Sequence, residues 1–238
     1  VLAACEASPV ESDPDSGLLE QDTGEIDTGD APSDDATLVG SVSWEDGSPA
    51  TIVQVRLCYV SCSTADPDEF GQFVFSKVTP GPYTLQLVRH GDRSFATPHG
   101  LVNLAPEETR TLDPIVVPLF QSRAELTDAP VSVDIHGGLT VEADPSTMTK
   151  GPYSFSDEIY VSAVKIDPSL TGIPVDGIDD PEAIVGMWYL GAYDFQLETP
   201  WPFTGVVDLG LPEGATVQLR TASNDTKTWL DAGTATIG

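Results

Sequence analysis

Hydrophobic and polar residues alternate along two neighbouring segments, residues 72–78 and 83–88, as they do in β-strands with one buried face. The apolar positions of this alternation are Phe73, Phe75, Tyr83, Leu85 and Leu87. The sequence Thr-Pro-Gly-Pro at residues 79–82 separates the two segments and is typical of a turn. The pattern therefore predicts a hairpin made of these two strands.

Similar strand patterns continue from Thr37 to the end of the chain, and no stretch shows a sustained helical period. The last segment is typical of a hairpin that turns at Asn224-Asp225. We expect an all-β protein in which two antiparallel β-sandwich domains follow a disordered acidic linker. The predicted units are the linker (1–36), a first sandwich (37–119), a connector (120–129) and a second sandwich (130–238).

Charge is distributed unevenly. The chain of 238 residues carries a formal net charge of −28, and residues 1–36 contain eleven Asp and Glu but no Lys, Arg or His. This leader has too little apolar surface to offset the entropy of ordering it, which predicts the linker. A field of this sign repels nucleic-acid phosphates, so we expect no nucleic-acid partner.

The first residues contain Leu2-Ala3-Ala4-Cys5, which resembles the lipobox of bacterial lipoproteins. The resemblance implies that Cys5 is lipidated and that the recorded sequence begins inside a signal peptide. The predicted localisation is the bacterial cell envelope, with the chain held in the outer membrane or at the cell surface by this N-terminal lipid anchor. The alternative is a chance tetrapeptide in an apolar stretch.

Twelve residues of the first predicted sandwich are spaced in an order that occurs in a known family. They are Gly40, Val42, Gly47, Pro49, Asp68, Gly71, Phe73, Phe75, Pro80, Gly81, Tyr83 and Leu85. This order resembles the carboxypeptidase regulatory-like domain, a seven-stranded transthyretin-like sandwich, over about residues 37–119. The resemblance implies a non-catalytic accessory module. The segment Leu-Pro-Glu-Gly-Ala at residues 211–215 and the hairpin after it are similar, more weakly, to β-sandwich repeats of bacterial surface proteins.

Arg89, His90, Gly91 and Arg93 match the Arg-His-Gly-x-Arg signature of the histidine acid phosphatases. A phosphohistidine loop needs a parallel sheet and helix ends that help to hold the phosphoryl group. The predicted sandwich puts this segment in a loop with sheet on both sides instead. No later His-Asp or His-Glu pair supplies the partner acid. We therefore expect a surface turn, and no catalytic residue is predicted.

An aromatic cluster lies between residues 188 and 203 of the second predicted sandwich. Its candidate glycan-binding residues are Trp188, Tyr189, Tyr193 and Trp201, with Phe203 at its end. Exposed aromatic rings can stack on the apolar faces of sugars. The alternative is that these side chains fill the core and edges of the sandwich, which needs large residues.

These observations favour a non-enzymatic, lipid-anchored surface protein that acts as a β-sandwich scaffold or protein-interaction module. The alternative is a carbohydrate-binding surface protein that uses the aromatic cluster. Other than the membrane, the expected partners are surface proteins or a polysaccharide. The repeated Asp-Thr-Gly of the linker does not have EF-hand spacing, and we predict neither a cofactor nor a metal site.

Cys58 and Cys62 are the remaining cysteines, four positions apart. Residues so spaced in a straight strand are separated by roughly 13 Å, whereas a disulfide needs Cα atoms about 4.4–6.8 Å apart. The pair can join only if the strand ends near Tyr59 and the chain folds back through Val60-Ser61. Ser61, Ser63 and the following Asp-Pro make such a reversal plausible, and disulfides persist in extracytoplasmic compartments. We predict a disulfide; two free thiols are the alternative.

Mass spectrometry of the unreduced, oxidised protein should find Cys58 and Cys62 in one cross-linked peptide. Reduction should raise the mass of this peptide by that of two hydrogens and leave the masses of the other peptides unchanged. Two thiols that react with an alkylating agent in oxidised material would contradict the predicted bond.

Overall fold

The computed structural model describes residues 34–88, 94–96, 98–120, 122–125, 130–135, 139–144, 148–150, 160–192, 195–197 and 209–238. Its strands are β1 Ala36–Ser43, β2 Gln54–Cys58, β3 Cys62–Ala65, β4 Gln72–Val78, β5 Gly81–Val88, β6 His99–Leu104, β7 Thr109–Thr111, β8 Ile115–Val116, β9 Ser122–Glu125, β10 Val131–Ile135, β11 Leu139–Ala143, β12 Met148–Lys150, β13 Tyr160–Ile166, β14 Met187–Ala192, β15 Phe195–Leu197, β16 Thr216–Ala222 and β17 Trp229–Thr236. In these ranges the helical elements are α1 Pro168–Thr171 and a 3₁₀ turn, Pro181–Ala183. The predicted all-β class is confirmed.

Strands β1 to β8 form two four-stranded sheets packed as a sandwich, which we call the first unit. The strands from β9 onward are called the second unit. Of the two sheets in the first unit, one has the order β4-β1-β7, with β8 also paired to β1, and the other has the order β3-β2-β5-β6. The second sheet is antiparallel throughout. The first is mixed, because β1 pairs antiparallel with β4 but parallel with β7 and β8. The two buried faces meet in one hydrophobic core.

The alternation of β1 and β4 places one face of each strand in this core. Leu38 and Val42 of β1 and Phe73 of β4 are at most 2% exposed. Gly40 lies between the first two, where a Cβ atom would stand 2.4 Å from the Phe73 ring. The absence of a side chain at Gly40 therefore leaves room for the Phe73 ring to lie over β1. Burial of each such large apolar side chain contributes about 1.5–3 kcal/mol to folding.

The turn at residues 79–82 does not close the predicted hairpin. β4 pairs with β1, whereas β5 pairs with β2 and β6 in the opposite sheet. The connection thus passes from one sheet to the other. Alternation and a Pro-Gly turn are compatible with both arrangements, because they specify which face of each strand is buried but not which strand lies beside it.

The polar face of β5 is also buried, although its alternation predicts an exposed one. Thr84 is 0% and Gln86 8% exposed. The turn of the C-terminal hairpin covers them: the Thr84 hydroxyl and the Gln86 amide donate to Asn224 Oδ1 at 2.7 and 3.4 Å. A distant part of the chain thus supplies the hydrogen bonds that burial of these groups requires.

The second unit contains one three-stranded sheet and three two-stranded sheets among the described residues. The three-stranded sheet has the order β14-β13-β9, and the pairs are β10-β11, β12-β15 and β16-β17. β9 lies in the segment predicted as a connector and joins this sheet through β13. The predicted C-terminal hairpin is present, with Ala222 opposite Trp229 at its turn.

Residues 172–178 connect the two units through hydrogen bonds and an ion pair. Leu101 N donates to Pro174 O at 2.9 Å, and Asp176 N donates back to Leu101 O at 3.1 Å. Asp176 also forms a bidentate ion pair with Arg110, whose Nη2 lies 2.7 Å from Oδ1. The indole of Trp229 donates to the Asp176 carbonyl at 3.0 Å. Apolar residues of the second unit continue the sandwich core on this side, so one hydrophobic cluster spans both.

Replacing Gly100 of β6 with alanine should weaken the contact between β6 and residues 172–178. The new Cβ would lie 2.7 Å from Pro174 Cδ and 2.9 Å from Pro174 O, so segment 172–178 has to move away. We expect Gly100→Ala to lower the free energy of unfolding by about 1–3 kcal/mol in urea denaturation. Asn103→Ala, an exposed change on the same strand, is the control and should change it by less than about 0.5 kcal/mol. Equal stability of the two variants would contradict the tight contact.

Candidate functional site

A groove opens at one end of the first sandwich, where the edges of its two sheets approach each other. We call it the tip groove; its volume is about 560 Å³. The described residues that line it are Leu57, Tyr59, Val60, Ser61, Ser63, Val74, Phe75, Ser76, Lys77, Val78, Thr79 and Tyr83. Most of them belong to the β2–β3 hairpin and to the end of β4.

The disulfide shapes one wall of the groove. Cys58 and Cys62 are directly opposite each other as the last pair of β2 and β3, with Cα atoms 4.0 Å apart and an S–S bond of 2.03 Å. The chain reverses between them, and Tyr59 N donates to Ser61 O at 3.0 Å. The predicted reversal and the predicted disulfide are therefore both present.

The hairpin tip is apolar and exposed. Tyr59 is 53% and Val60 93% exposed. The Tyr59 ring packs on Tyr83, with centroids 5.6 Å apart, and the Tyr83 hydroxyl donates to Thr79 O at 2.5 Å. Burial, and then the neighbouring Tyr59, raise the pKa of the Tyr83 phenol above its ordinary value. One face of Tyr59 is thus supported by a fixed ring while the residue remains accessible.

A β-bulge forms the opposite wall. In the β1–β4 pairing Leu38 is opposite Phe75 and Ala36 is opposite Val78, so Ser76 and Lys77 together face one residue of β1. Lys77 has a φ of 56°, a conformation rare for a residue with a side chain. Bulges redirect side chains and often occur near functional sites. Here the bulge places Lys77 along the groove.

The electrostatics of the tip groove differ from those of the chain as a whole. The chain has 38 Asp and Glu, yet none is among the described residues that line the groove, and Lys77 is the only charged one there. Within the described part of the chain no carboxylate forms an ion pair with Lys77. Six lining residues carry hydroxyls, namely Tyr59, Ser61, Ser63, Ser76, Thr79 and Tyr83. This composition suits binding of a polar ligand; the lining described has no histidine or carboxylate to act as a general base.

The predicted glycan-binding aromatics are only partly within the described residues. Trp188 and Tyr189 are consecutive on β14, and Tyr189 is only 7% exposed. Trp188 is partly exposed. Its ring packs against Gly186, and the ring centroid lies 5.9 Å from Lys165 Nζ. Both border a cavity of only about 20 Å³ at the junction of the units, which is too small for a sugar ring. Tyr193 and Trp201 lie outside the described residues, so the stacking platform stays a prediction.

Several other predicted residues also lie outside the described ranges. They are Cys5 of the lipobox resemblance, Arg89, His90, Gly91 and Arg93 of the phosphatase-like segment, and Phe203. The predicted surface turn at residues 89–93 stays a prediction. In the described ranges, no group of three or more His, Cys, Asp and Glu could hold a metal ion. No helix in those ranges has the length and apolar composition needed to cross a membrane.

The tip groove was not anticipated from the sequence. The spacing of Cys58 and Cys62, with Tyr59 and Val60 between them, could have indicated a disulfide-closed loop with an apolar tip. Nothing in the sequence marks the bulge at Lys77, because it depends on the register between β1 and β4.

No family model matches the chain, and no curated protein matches it. The resemblance to the carboxypeptidase regulatory-like domain therefore stays a prediction. Among solved structures the chain is similar to a DUF3823 family protein from Parabacteroides merdae, at 16% identity, over 56% of this chain and 90% of that one, with a TM-score of 0.27. It is also similar to a protein from Bacteroides uniformis described as a "putative carbohydrate binding protein", at 11% identity, over 85% and 98% of the two chains, with a TM-score of 0.29. A DUF3823 family protein from Bacteroides ovatus matches at 12% identity over 78% and 88%, with a TM-score of 0.26. At TM-scores this low, nothing about this chain's fold or function is taken from these likenesses.

His99 of β6 borders the cavity of about 20 Å³ at the junction of the two units. Its protonation should make the free energy of unfolding depend on pH. Burial, and then the charge of Lys227, lower its pKa to about 4. In the unfolded chain His99 titrates near about 6.5. Between these values the unfolded state binds a proton that the folded state does not, so the free energy of unfolding should fall as the pH falls from about 6.5 to about 4, by up to about 3 kcal/mol.

Urea denaturation of the wild type and of His99→Gln across this pH range separates the contribution of His99 from that of the carboxylates. Both proteins contain the same carboxylates, so their effect on the free energy of unfolding cancels in the difference. The difference between their free energies of unfolding should change by up to about 3 kcal/mol from pH 7 to pH 4, to the disadvantage of the wild type at low pH. Parallel pH profiles would show that His99 is not held neutral by the fold.

Proposed function

We propose that the chain is a non-enzymatic, lipid-anchored protein of the bacterial cell envelope whose β modules act as a scaffold for interactions at the surface. The observation that carries this proposal is the filled junction between the two units. Boundaries between domains are common positions for ligand and catalytic sites, but here the cavity measures only about 20 Å³.

The contacts at the junction favour a rigid spacer. The Arg110–Asp176 ion pair is partly shielded, with side chains 26% and 21% exposed, so water screens it less than a fully exposed pair. The Trp229 indole and the Leu101 backbone bind the same short segment. A scaffold of this kind holds its loops and sheet edges in constant relative positions for partners.

Two features support export and anchoring. Leu2-Ala3-Ala4-Cys5 resembles a lipobox, and the acidic residues after it suit a tether between membrane and scaffold. The Cys58–Cys62 disulfide fits a protein that works outside the reducing cytoplasm.

The alternative, a carbohydrate-binding surface protein that uses the aromatic cluster of residues 188–203, has less support. Tyr189 is buried, and Trp188 borders a cavity without room for a sugar. The tip groove, which is open and has an exposed tyrosine, is the better place to look for a ligand.

Lipid attachment can be tested by expressing the gene with its own complete leader in its native bacterium and supplying a clickable palmitate analogue. We expect the wild type to be labelled and to partition into the detergent phase of Triton X-114. Cys5→Ser should be unlabelled, because the thiol that accepts the lipid is gone. Ser8→Ala, a change three residues away, is the control and should behave as the wild type. An unlabelled wild type, or equal labelling of Cys5→Ser, would overturn the anchoring.

A further inference from the structure

We propose that the tip groove binds a saccharide that carries carboxylate groups, such as an oligomer of uronic acid. This goes beyond the scaffold function and does not depend on the lipid anchor, because every residue that carries it belongs to the first sandwich. The ligand class follows from three features of the groove: a supported aromatic ring, a set of hydroxyls, and a single cation in a described lining that contains no carboxylate.

The aromatic ring supplies the apolar contact. Tyr59 is 53% exposed and packs against Tyr83, so it keeps its position without a ligand. The C–H faces of a sugar ring pack on such aromatic surfaces. Val60 and Val74, which are 93% and 55% exposed, extend the apolar surface on either side. A contact with a ring that is already ordered costs less conformational entropy than one with a mobile side chain.

The hydroxyls and Lys77 supply the polar contacts. Ser61, Ser63, Ser76 and Thr79 line the groove and can both donate and accept hydrogen bonds. The Lys77 ammonium only donates, and its bonds to a carboxylate are stronger than those to a neutral group. A neutral sugar would not need this cation, whereas an acidic one would benefit from it.

The net charge of −28 does not exclude an anionic ligand in this place. At physiological ionic strength, electrostatic fields decay over about 8 Å, so carboxylates far from the groove act weakly on a molecule inside it. The described lining itself contains no carboxylate. Lys77 is therefore the charged group of this lining that a bound molecule would contact directly.

The same geometry disfavours an extended peptide. In the described ranges β3 and β4 are the edge strands that border the groove, and a peptide strand could pair with either. A bulge and an edge lysine both hinder such pairing, and β4 has both at Ser76-Lys77. β3 is only four residues long and ends at the disulfide turn. A compact ligand that stacks and forms hydrogen bonds fits better than an added strand.

Isothermal titration calorimetry of the purified full chain tests the proposal. The probes are tetramers of galacturonate, guluronate, mannuronate and glucuronate, and the fully methyl-esterified form of each tetramer is its neutral counterpart. We expect at least one acidic tetramer to bind and its own methyl-esterified form to bind at least about tenfold more weakly. Added salt should weaken binding of the acidic form.

Three variants locate the site. Tyr59→Ala should weaken binding by about tenfold or more through loss of the stacking surface. Lys77→Asn should have a similar effect, and asparagine tolerates the left-handed backbone at this position, so the bulge is kept. Lys77→Arg keeps the charge and should largely restore affinity. Lys165→Gln, which removes the cation beside Trp188, is the matched control and should bind as the wild type does.

The proposal fails if no acidic tetramer binds at millimolar concentration, or if the methyl ester binds as tightly as the acid. It also fails if the Tyr59 and Lys77 variants, with unchanged melting temperatures, keep full affinity. Weaker binding by Lys165→Gln alone would move the site to the aromatic cluster. The experiment uses protein without acyl chains, so its result is separate from the test of anchoring at Cys5.

Discussion

The apolar faces of the two sheets in the first unit have to be buried against each other, and most features of the structure depend on this constraint. It requires the period of two along β1 and β4, and it requires Gly40, where any side chain would collide with Phe73. The chain crosses between the sheets at residues 79–82 and does not close a hairpin. As a result β3 and β4 remain as neighbouring edges, and the space between their ends is the tip groove.

A second constraint arises because β5 and β6 are covered on both sides. The outer face of β5 carries Thr84 and Gln86, which need hydrogen-bond partners once they are buried, and Asn224 supplies them. Asp176 has a comparable role at β6, since its side chain and backbone bind Arg110, Leu101 and Trp229 together. These polar contacts have directions, whereas apolar packing has none, so they fix how the second unit lies on the first.

The division of roles between the two ends of the first sandwich follows from this packing. One side packs against the second unit, and the cavity that the described residues leave there measures only about 20 Å³. The tip is open, has few apolar neighbours for Tyr59 and Val60, and is stabilised locally by the disulfide. The exposed, covalently closed tip can therefore meet a ligand without reorganisation of the packed core.

The sequence alone determined the features that depend on neighbours along the chain. The period of two at residues 72–88 predicted strands and their buried residues, and the spacing of Cys58 and Cys62 predicted a disulfide with a chain reversal between them. Both predictions hold because alternation and the reach of a disulfide are local geometric properties. The C-terminal hairpin at Asn224 is local in the same sense.

Only the tertiary structure decided which strands pair and which polar faces are covered. Alternation does not distinguish a hairpin from a crossing between sheets, so the partners of β4 and β5 could not be read from residues 72–88. Burial of Thr84 depends on Asn224, which is 140 positions away. The bulge that places Lys77 along the tip groove depends on the register between β1 and β4, and register is set by packing of the whole sandwich. The candidate site is therefore a product of long-range contacts that no local pattern specifies.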